Sequence, residues 1–471
     1  MIEWTPSKDD QKQYPHFDAP LSLKEMKEIS NNPKAVEENA FLPFLKYENT
    51  YKPFRPLGKP KKIREIRFAS RRDAAIFSRY RHGLSQKYEN LLTKYGISKN
   101  VLAYRRVPIS SAINSGKSNI NHASDSFNYI KNIKNCWAIS LDISNFFENL
   151  DHDKINKIWC RLLDTKILPA DHYAVFQAIT KYNVVDIKEA YTALGYFGIK
   201  KSGVKGYLLP RREIPKQLCT MKEFREKICG KNPKYKNLIH KNENTYGIPQ
   251  GAPLSDLIAN FYLLDFDFEV SKITNSLNGH YLRYSDDILI ILPINTVDPI
   301  NFMNKIRNLI QVHGENLDIK ESKCTIDKFT RSSEGLLYEA IYPKGKSRNG
   351  LNYLGFRFDG QRVYLRDSTL SNFKRKMTLC VKREAIHLVS RYPGKDYKYL
   401  RPILKTELIV RKFGKVEDFD QFTDKKKWTF WTYIKRAEKI FGAESKIHHQ
   451  VKGYPDFIRT LSDKFMIKFS L

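Results

Sequence analysis

The sequence predicts an α+β fold, an antiparallel sheet backed by helices, on three observations. Tyr281-Leu282-Arg283 and Ile288-Leu289-Ile290-Ile291-Leu292 are short β-prone runs flanking Tyr284-Ser285-Asp286-Asp287, the pattern of a hairpin and its tip. Trp137-Ala138-Ile139-Ser140-Leu141-Asp142-Ile143 alternates large apolar and small residues like a half-buried strand. Helical spacing follows Ser144-Asn145-Phe146-Phe147 to about Leu163, recurs over Asn301 to Val312, and dominates past about residue 361.

The carboxylates carry the chemistry. Successive strand side chains point to opposite faces. At most one of Asp286 and Asp287 therefore faces squarely into a site, and the other serves it from the turn. Asp142 ends its own strand, where a sheet scaffold presents reactive groups; taken alone it reads as a helix N-cap. If the two strands are neighbours, three carboxylates gather. Two unit charges about 4 Å apart repel by roughly 4 kcal/mol at an effective dielectric of 20, a cost that a cation cancels. Such a cluster suits two Mg²⁺ ions clamping the oxygens of an in-line phosphoryl displacement.

Between these segments, Tyr246-Gly247-Ile248-Pro249-Gln250-Gly251-Ala252-Pro253-Leu254 imposes a shaped loop. Ser255 with Asp256 reads as the cap of a helix from about Leu257 to Val270. Gly251 lets another backbone or a ligand approach closely. Gly116-Lys117-Ser118 lacks the upstream glycine of a P-loop, which excludes that reading.

The ordered set LDISNFF, GIPQGAPLS, YSDD and LNYLGF resembles the central blocks of reverse transcriptases, over roughly residues 60–360. The Phe146-Phe147 pair and the Gln-Gly-x-Pro-Leu-Ser stretch are more similar to the bacterial enzymes (group II intron, retron and defence-associated types) than to retroviral ones. The resemblance implies a right-hand polymerase. Its parts are a helical N-terminal extension over 1–50, fingers over 51–135, a palm over 136–360 with an inserted fingers segment at about 165–245, and a helical thumb and C-terminal region over 361–471.

The resemblance also implies roles. Asp142, Asp286 and Asp287, with the backbone carbonyl of Ile143, match the positions that hold two Mg²⁺ ions, with Mn²⁺ as a substitute. Phe147 matches the aromatic under the incoming sugar, which favours deoxynucleotides. Gln250 matches the residue touching the incoming nucleotide, in a loop shaped by Pro249 and Gly251. Tyr284 and Ser285 fall at the primer end, and Gly355 in a primer-gripping hairpin, Asn352 to Phe358. Lys323, with Lys320 as rival, matches the lysine that assists the leaving pyrophosphate. Lys61 to Asp73 resembles the triphosphate- and template-holding block, with Arg64 and then Arg67 as the triphosphate candidates. Tyr104-Arg105-Arg106 and Gly116-Lys117-Ser118 fit a template-contacting segment.

Charge points to a polyanionic partner. The 471 residues carry a net +31. Residues 51–110 hold 16 Lys/Arg against 3 Asp/Glu, and residues 371–471 hold 24 against 11, so these two stretches carry most of the excess. Phosphate contacts of this kind give affinity without sequence preference. The basic stretch Gly198 to Gly206 reads as an exposed hairpin or loop that meets nucleic acid or a partner. Leu370, Phe373, Met377 and Val381 form one stripe of a helix that Ser368 could cap. Lys425 to Arg436 alternates bases and aromatics, either to stack on single-stranded bases or to build a small helical core. The six cysteines form no CxxC pair, which argues against zinc and for reduced thiols in a cytoplasmic protein, a bacterial one by the resemblance. The opening residues show no signal-peptide pattern, and no apolar run reaches membrane-spanning length.

The resemblance implies an RNA-directed DNA polymerase that adds dNTPs to a primer on an RNA template and yields a DNA product, and the charge agrees with a nucleic-acid partner. The Val-Thr-Gly of retron enzymes is absent, and no nuclease-like segment is read after the thumb. The resemblance therefore leans to the stand-alone antiviral-defence enzymes, whose template is a dedicated non-coding RNA. Template-independent or protein-primed synthesis, a retron or group II-like enzyme, and a non-catalytic RNA-binding protein remain the rivals. Oligomeric state stays open, a homo-oligomer included.

Overall fold

The computed structural model describes residues 3–51, 62–110, 113–345, 348–414 and 429–470. Its centre is a five-stranded antiparallel sheet in the order His280–Tyr284, Asp287–Pro293, Cys136–Asp142, Thr325–Ser332, Gly335–Tyr342. The apolar run of Asp287–Pro293 has a simple cause: both faces of the sheet are covered. Ile288, Ile290 and Leu292 enter one core, with the helices Ser255–Tyr262, Leu264–Ser276 and Pro299–Val312. Leu289 and Ile291 enter the other, with helix Asn119–Ile133 and the C-terminal region. A strand buried on both sides loses the polar half of the period-two pattern.

A second sheet runs Lys62–Phe68, Phe44–Tyr51, Asn183–Asp186, His240–Lys241. Phe44–Tyr51 pairs antiparallel with Lys62–Phe68 and parallel with Asn183–Asp186. This corrects the helical expectation for residues 1–50. Helix there stops at Glu37, after Leu23–Ser30 and Pro33–Glu37, and the following residues join a sheet whose partners lie far along the chain. Phe197–Ile199 and Lys205–Tyr207 form the hairpin expected around Gly198 to Gly206.

The helix expected to end near Leu163 is His152–Leu163, capped by Asp151 after a 3₁₀ turn at Phe146–Asn149. The amphipathic stretch near Asn301 is Pro299–Val312, capped by Asp298. Two capping expectations fail. The helix after the Gly-Pro loop starts at Ser255 itself and breaks at Leu263 before resuming over Leu264–Ser276. Ser255 Oγ donates to the Pro249 carbonyl, and Asp256 is held bidentately by Arg81. Ser368 lies inside helix Asp367–Arg391 and does not cap it. The expected stripe does hold, with Phe373, Met377 and Val381 buried, and the helix packs along Tyr454–Phe469.

Asn352 to Phe358 forms the hairpin Leu351–Tyr353 with Phe356–Phe358, joined by Val363–Leu365 as a third strand. Lys425 to Trp428, and Lys61, lie outside the described residues. Helix Phe430–Phe441 buries Trp431 and Ile434, and Phe430 stacks on Phe373 at 4.3 Å, so these described aromatics build a helical core. All six cysteines are free. Among the described residues no helix is long and apolar enough to cross a membrane.

Candidate functional site

The hairpin His280–Tyr284/Asp287–Pro293 closes through a two-residue turn, Ser285-Asp286, with Tyr284 opposite Asp287. Ser285 has φ of +61°, the left-handed region that such tight turns demand at their first loop position. Ser285 Oγ lies 3.2 Å from the Tyr104 hydroxyl. On the other side of the hairpin, Asp287 pairs in register with Asp142. The Ile143 amide donates to the Asp286 carbonyl at 3.0 Å, so the chain leaving Asp142 is stitched to the turn. Two carboxylates 145 residues apart in sequence are thus cross-strand neighbours, and the third caps the same edge.

Two cavities meet at this edge. One, of about 840 Å³, is lined by Asp286 together with Arg64, Phe147, Gln250 and Tyr104. The other, of about 630 Å³, is lined by Asp287 with Tyr284, Gly355, Asn119 and Arg366. Asp142 and Lys323 belong to both. Asp286 in the turn opens into one cavity and Asp287 at the start of the strand into the other, and Asp142 borders both.

Burial and the neighbouring Asp142 push the Asp286 carboxyl above its ordinary range, with Lys323 and Arg64 opposing. Burial, then Asp286 and Asp142, push Asp287 up to about 7. The sign for stability follows. A carboxyl that holds its proton more tightly when folded contributes stability below its unfolded value, and that contribution is lost as pH rises to about 7. In metal-free protein, stability is expected to fall as pH rises from about 4 to about 7. Asp287→Asn should flatten that slope in thermal denaturation, and an unchanged slope would count against the crowding described here.

Among the described residues, no three His, Cys, Asp or Glu side chains stand gathered as a ready-made metal cage. The expected three-carboxylate cluster is therefore divided across two cavities, with Lys323 ion-paired to Asp142. The donors still suit a hard divalent cation: oxygen ligands only, with mutual repulsion that a cation would relieve.

The remaining residues fall into place unevenly. The Gly-Pro loop lies against the 3₁₀ turn: the Gly247 amide donates to Leu150 and the Ile248 amide to Phe147, both at 2.8 Å. That stitching puts Gln250 and Phe147 in one cavity. Gly251 has φ of +116°, and a Cβ there would lie 2.7 Å from the Arg67 carbonyl. Its close neighbour is thus protein backbone, not ligand. Gly251→Ala is expected to destabilise by roughly 1–3 kcal/mol from backbone strain plus the clash, seen as a lower Tm; an unshifted Tm would refute this. Pro249 is buried and accepts from Ser255.

Both arginine candidates line the Asp286 cavity, but Arg67 is buried and ion-paired to Glu65 at 2.5 Å and Glu148 at 3.7 Å, while Arg64 is exposed on it. Lys323, not Lys320, reaches Asp142. Gly355 lies open at φ of +93°, its nearest neighbour the Tyr433 hydroxyl, 3.7 Å from where a Cβ would stand. Arg105 does not reach either cavity. Its guanidinium is buried against Glu89 and the Ser98 and Val101 carbonyls, so it buttresses the preceding helix and is unavailable to a template. Lys117 pairs with Asp125.

Sequence reasoning missed the group that holds the turn. Arg283 and Asp267 are both fully buried, linked at 2.7 and 2.6 Å. Arg283 also donates to the Asn260 side chain and carbonyl and to the Ser285 carbonyl, and Tyr281 donates to Asp267. Burial works against the Arg283 charge, and Asp267 more than reverses this, raising the guanidinium above its ordinary value. The available signal was an acidic residue on the apolar face of LLDFDFEV and an arginine inside YLRY.

No family model and no curated protein matches this chain. Among solved structures, it is similar to apo telomerase from Candida tropicalis truncated from its C-terminal domain, at TM-score 0.39 and 11% identity over 74% of this chain and 61% of that one. It is also similar to telomerase from Candida albicans in complex with a TWJ fragment of telomeric RNA, at TM-score 0.38 and 10% identity over 93% of this chain and 67% of that one. The chain spans about three-fifths to two-thirds of the length of these telomerases.

Proposed function

We propose that the protein is a nucleotidyltransferase, an RNA-directed DNA polymerase that extends a primer with dNTPs on an RNA template. The observation carrying this reading is the pairing of Asp142 with Asp287 beside the Ser285-Asp286 turn, at the junction of two cavities. In this reading the cavity of Asp286 receives the incoming nucleotide and that of Asp287 the primer end. The central sheet is the palm, the sheet of Lys62–Phe68 belongs to the fingers, and the C-terminal helices form the thumb.

Asp142, Asp286 and Asp287 would hold two Mg²⁺ ions, which supply charge neutralisation at the attacking and leaving oxygens when bound. The chain's own residues position and select. Phe147 and Gln250 line the nucleotide cavity, where an aromatic floor under the sugar would exclude a 2′-hydroxyl. Arg64 offers a guanidinium to the triphosphate. Lys323, between the two cavities, stands where negative charge develops on a leaving pyrophosphate. Gly355 leaves room for primer backbone. Most of the acceleration would come from positioning and electrostatics, as phosphoryl transfer requires.

The bacterial part of the finer assignment rests on the sequence blocks LDISNFF and GIPQGAPLS, and the stand-alone defence role with a dedicated non-coding RNA rests on the missing retron Val-Thr-Gly and on analogy of fold. The deciding experiment is primer extension on a defined RNA template, with the product sequenced with and without prior RNase treatment. A complementary DNA that disappears on RNase pretreatment is expected. Product of unrelated sequence, or product indifferent to RNase, would replace templated copying with untemplated addition.

A further inference from the structure

Away from both cavities, residues 196–241 carry 13 Lys/Arg against 3 Asp/Glu, a positive excess as dense as that of residues 51–110. This segment, with helix Ile187–Ala193, lines a separate cavity of about 570 Å³ that shares no lining residue with the other two. Its rim is cationic: Lys188, Lys205, Lys227, Lys234 and Lys236. Its floor is apolar and aromatic, from Phe197, Tyr235 and Leu238. Of the five lysines only Lys227 has an ion-pair partner, Glu223, among the described residues.

The wall bearing Lys234-Tyr235-Lys236 is preorganised. Gly230, at φ of +69°, packs so closely that a Cβ would meet the Asn237 amide at 2.5 Å. The loop is then pinned by the Tyr235 amide to the Asn232 carbonyl, the Lys234 amide to Asn232 Oδ1, and the Leu238 amide to the Ile228 carbonyl, at 2.9, 3.0 and 2.9 Å.

An apolar, aromatic floor inside a ring of lysines matches one chemistry: a planar base with phosphates on either side. A duplex cannot present it, because its bases are stacked and paired, whereas unpaired nucleotides can splay a base into a pocket. Glu189, the sole carboxylate on the lining, offers an acceptor for a 2′-hydroxyl, which deoxyribose lacks. We propose that this cavity is a second nucleic-acid site that takes an unpaired nucleotide of a single-stranded RNA, outside the catalytic cavities. The inference rests on the polymerase reading only for the presence of an RNA partner.

The test uses the full chain and three fluorescein-labelled probes: an oligouridylate, the DNA of matching sequence, and an RNA duplex. Anisotropy is followed over a series of KCl concentrations. Lys234→Glu/Lys236→Glu should weaken oligouridylate binding by about tenfold or more and flatten the salt slope by about 1.4, two lost phosphate contacts on a single strand. Tyr235→Ala should weaken binding with the slope unchanged. Lys24→Glu/Lys34→Glu, an equal charge change at two residues exposed elsewhere, should do neither.

Equal losses in this control, or equal losses on the duplex, would reduce the cavity to part of a general positive field. Equal losses on the DNA would overturn the assignment to RNA. All four lysines are exposed, so the pairs of variants should keep the wild-type Tm. Extension of a pre-annealed primer–template should survive in Lys234→Glu/Lys236→Glu. Loss of RNA binding with intact extension, and loss of extension with intact binding in an Asp142 variant, separate the two readings.

Discussion

Asp142→Asn and Asp286→Asn are each expected to lower nucleotide incorporation by about a thousandfold or more while RNA binding persists. The magnitude follows from charge. One full charge beside a bound cation would be worth roughly 4 kcal/mol at about 4 Å and an effective dielectric of 20, which is about three decades in rate. The shape is unchanged, since Asn keeps the side-chain volume and the strand pairing of residue 142 with Asp287. Folding should also be spared. Asp286 and Asp287 already sit under mutual repulsion, so removing one charge eases the cluster. The Asp142–Lys323 pair is about one-third exposed on both sides, and pairs that wet contribute little. The check is steady-state incorporation alongside Tm and RNA anisotropy for each variant. Incorporation within tenfold of wild type by either one would sink the proposed reaction.

Breaking the buried pair beneath the turn is expected to be the most destabilising change in the sheet. Asp267→Asn leaves the Arg283 guanidinium, fully enclosed, without its counter-charge, and Arg283→Met leaves Asp267 in the same position. Removing one partner of such a pair costs about 3–5 kcal/mol. Here the cost should lie at the upper end, because Arg283 satisfies Asn260 and the Ser285 carbonyl as well as Asp267. The double variant Asp267→Leu/Arg283→Met should regain part of the loss, since no charge is stranded. Chemical denaturation of the two single variants and the double measures this directly. A loss under about 1 kcal/mol in both single variants would show that water reaches the pair. Activity should fall further than stability alone explains, because the Arg283 bond to Ser285 helps set the turn that carries Asp286.

Much of this molecule could be read from local pattern. The Ser285-Asp286 turn, helix His152–Leu163 and the Phe373–Met377–Val381 stripe follow from neighbours a few residues away. Residues 197–207 took the hairpin where local pattern allowed hairpin or loop, and the hairpin at 351–358 is one that the family resemblance implied. Local rules failed where a distant partner intervened. Ser255 and Asp256 looked like caps but were claimed by Pro249 and Arg81. Arg105 looked like a template contact, but Glu89 and two carbonyls on the other side of its turn enclose it. Phe44–Tyr51 drew its parallel partner from Asn183–Asp186, more than a hundred residues on.

The amino-acid order by itself determined the α+β class, the strands and turn that bear Asp142, Asp286 and Asp287, and the net positive charge of the chain. Those are consequences of side-chain period and composition, which are local. Tertiary structure alone decided that Asp142 faces Asp287 and that Asp286 opens into a different cavity from Asp287. It also decided which arginines are buried as struts and which line a cavity. Strand register and desolvation set these, and both depend on groups brought together only when the chain has folded.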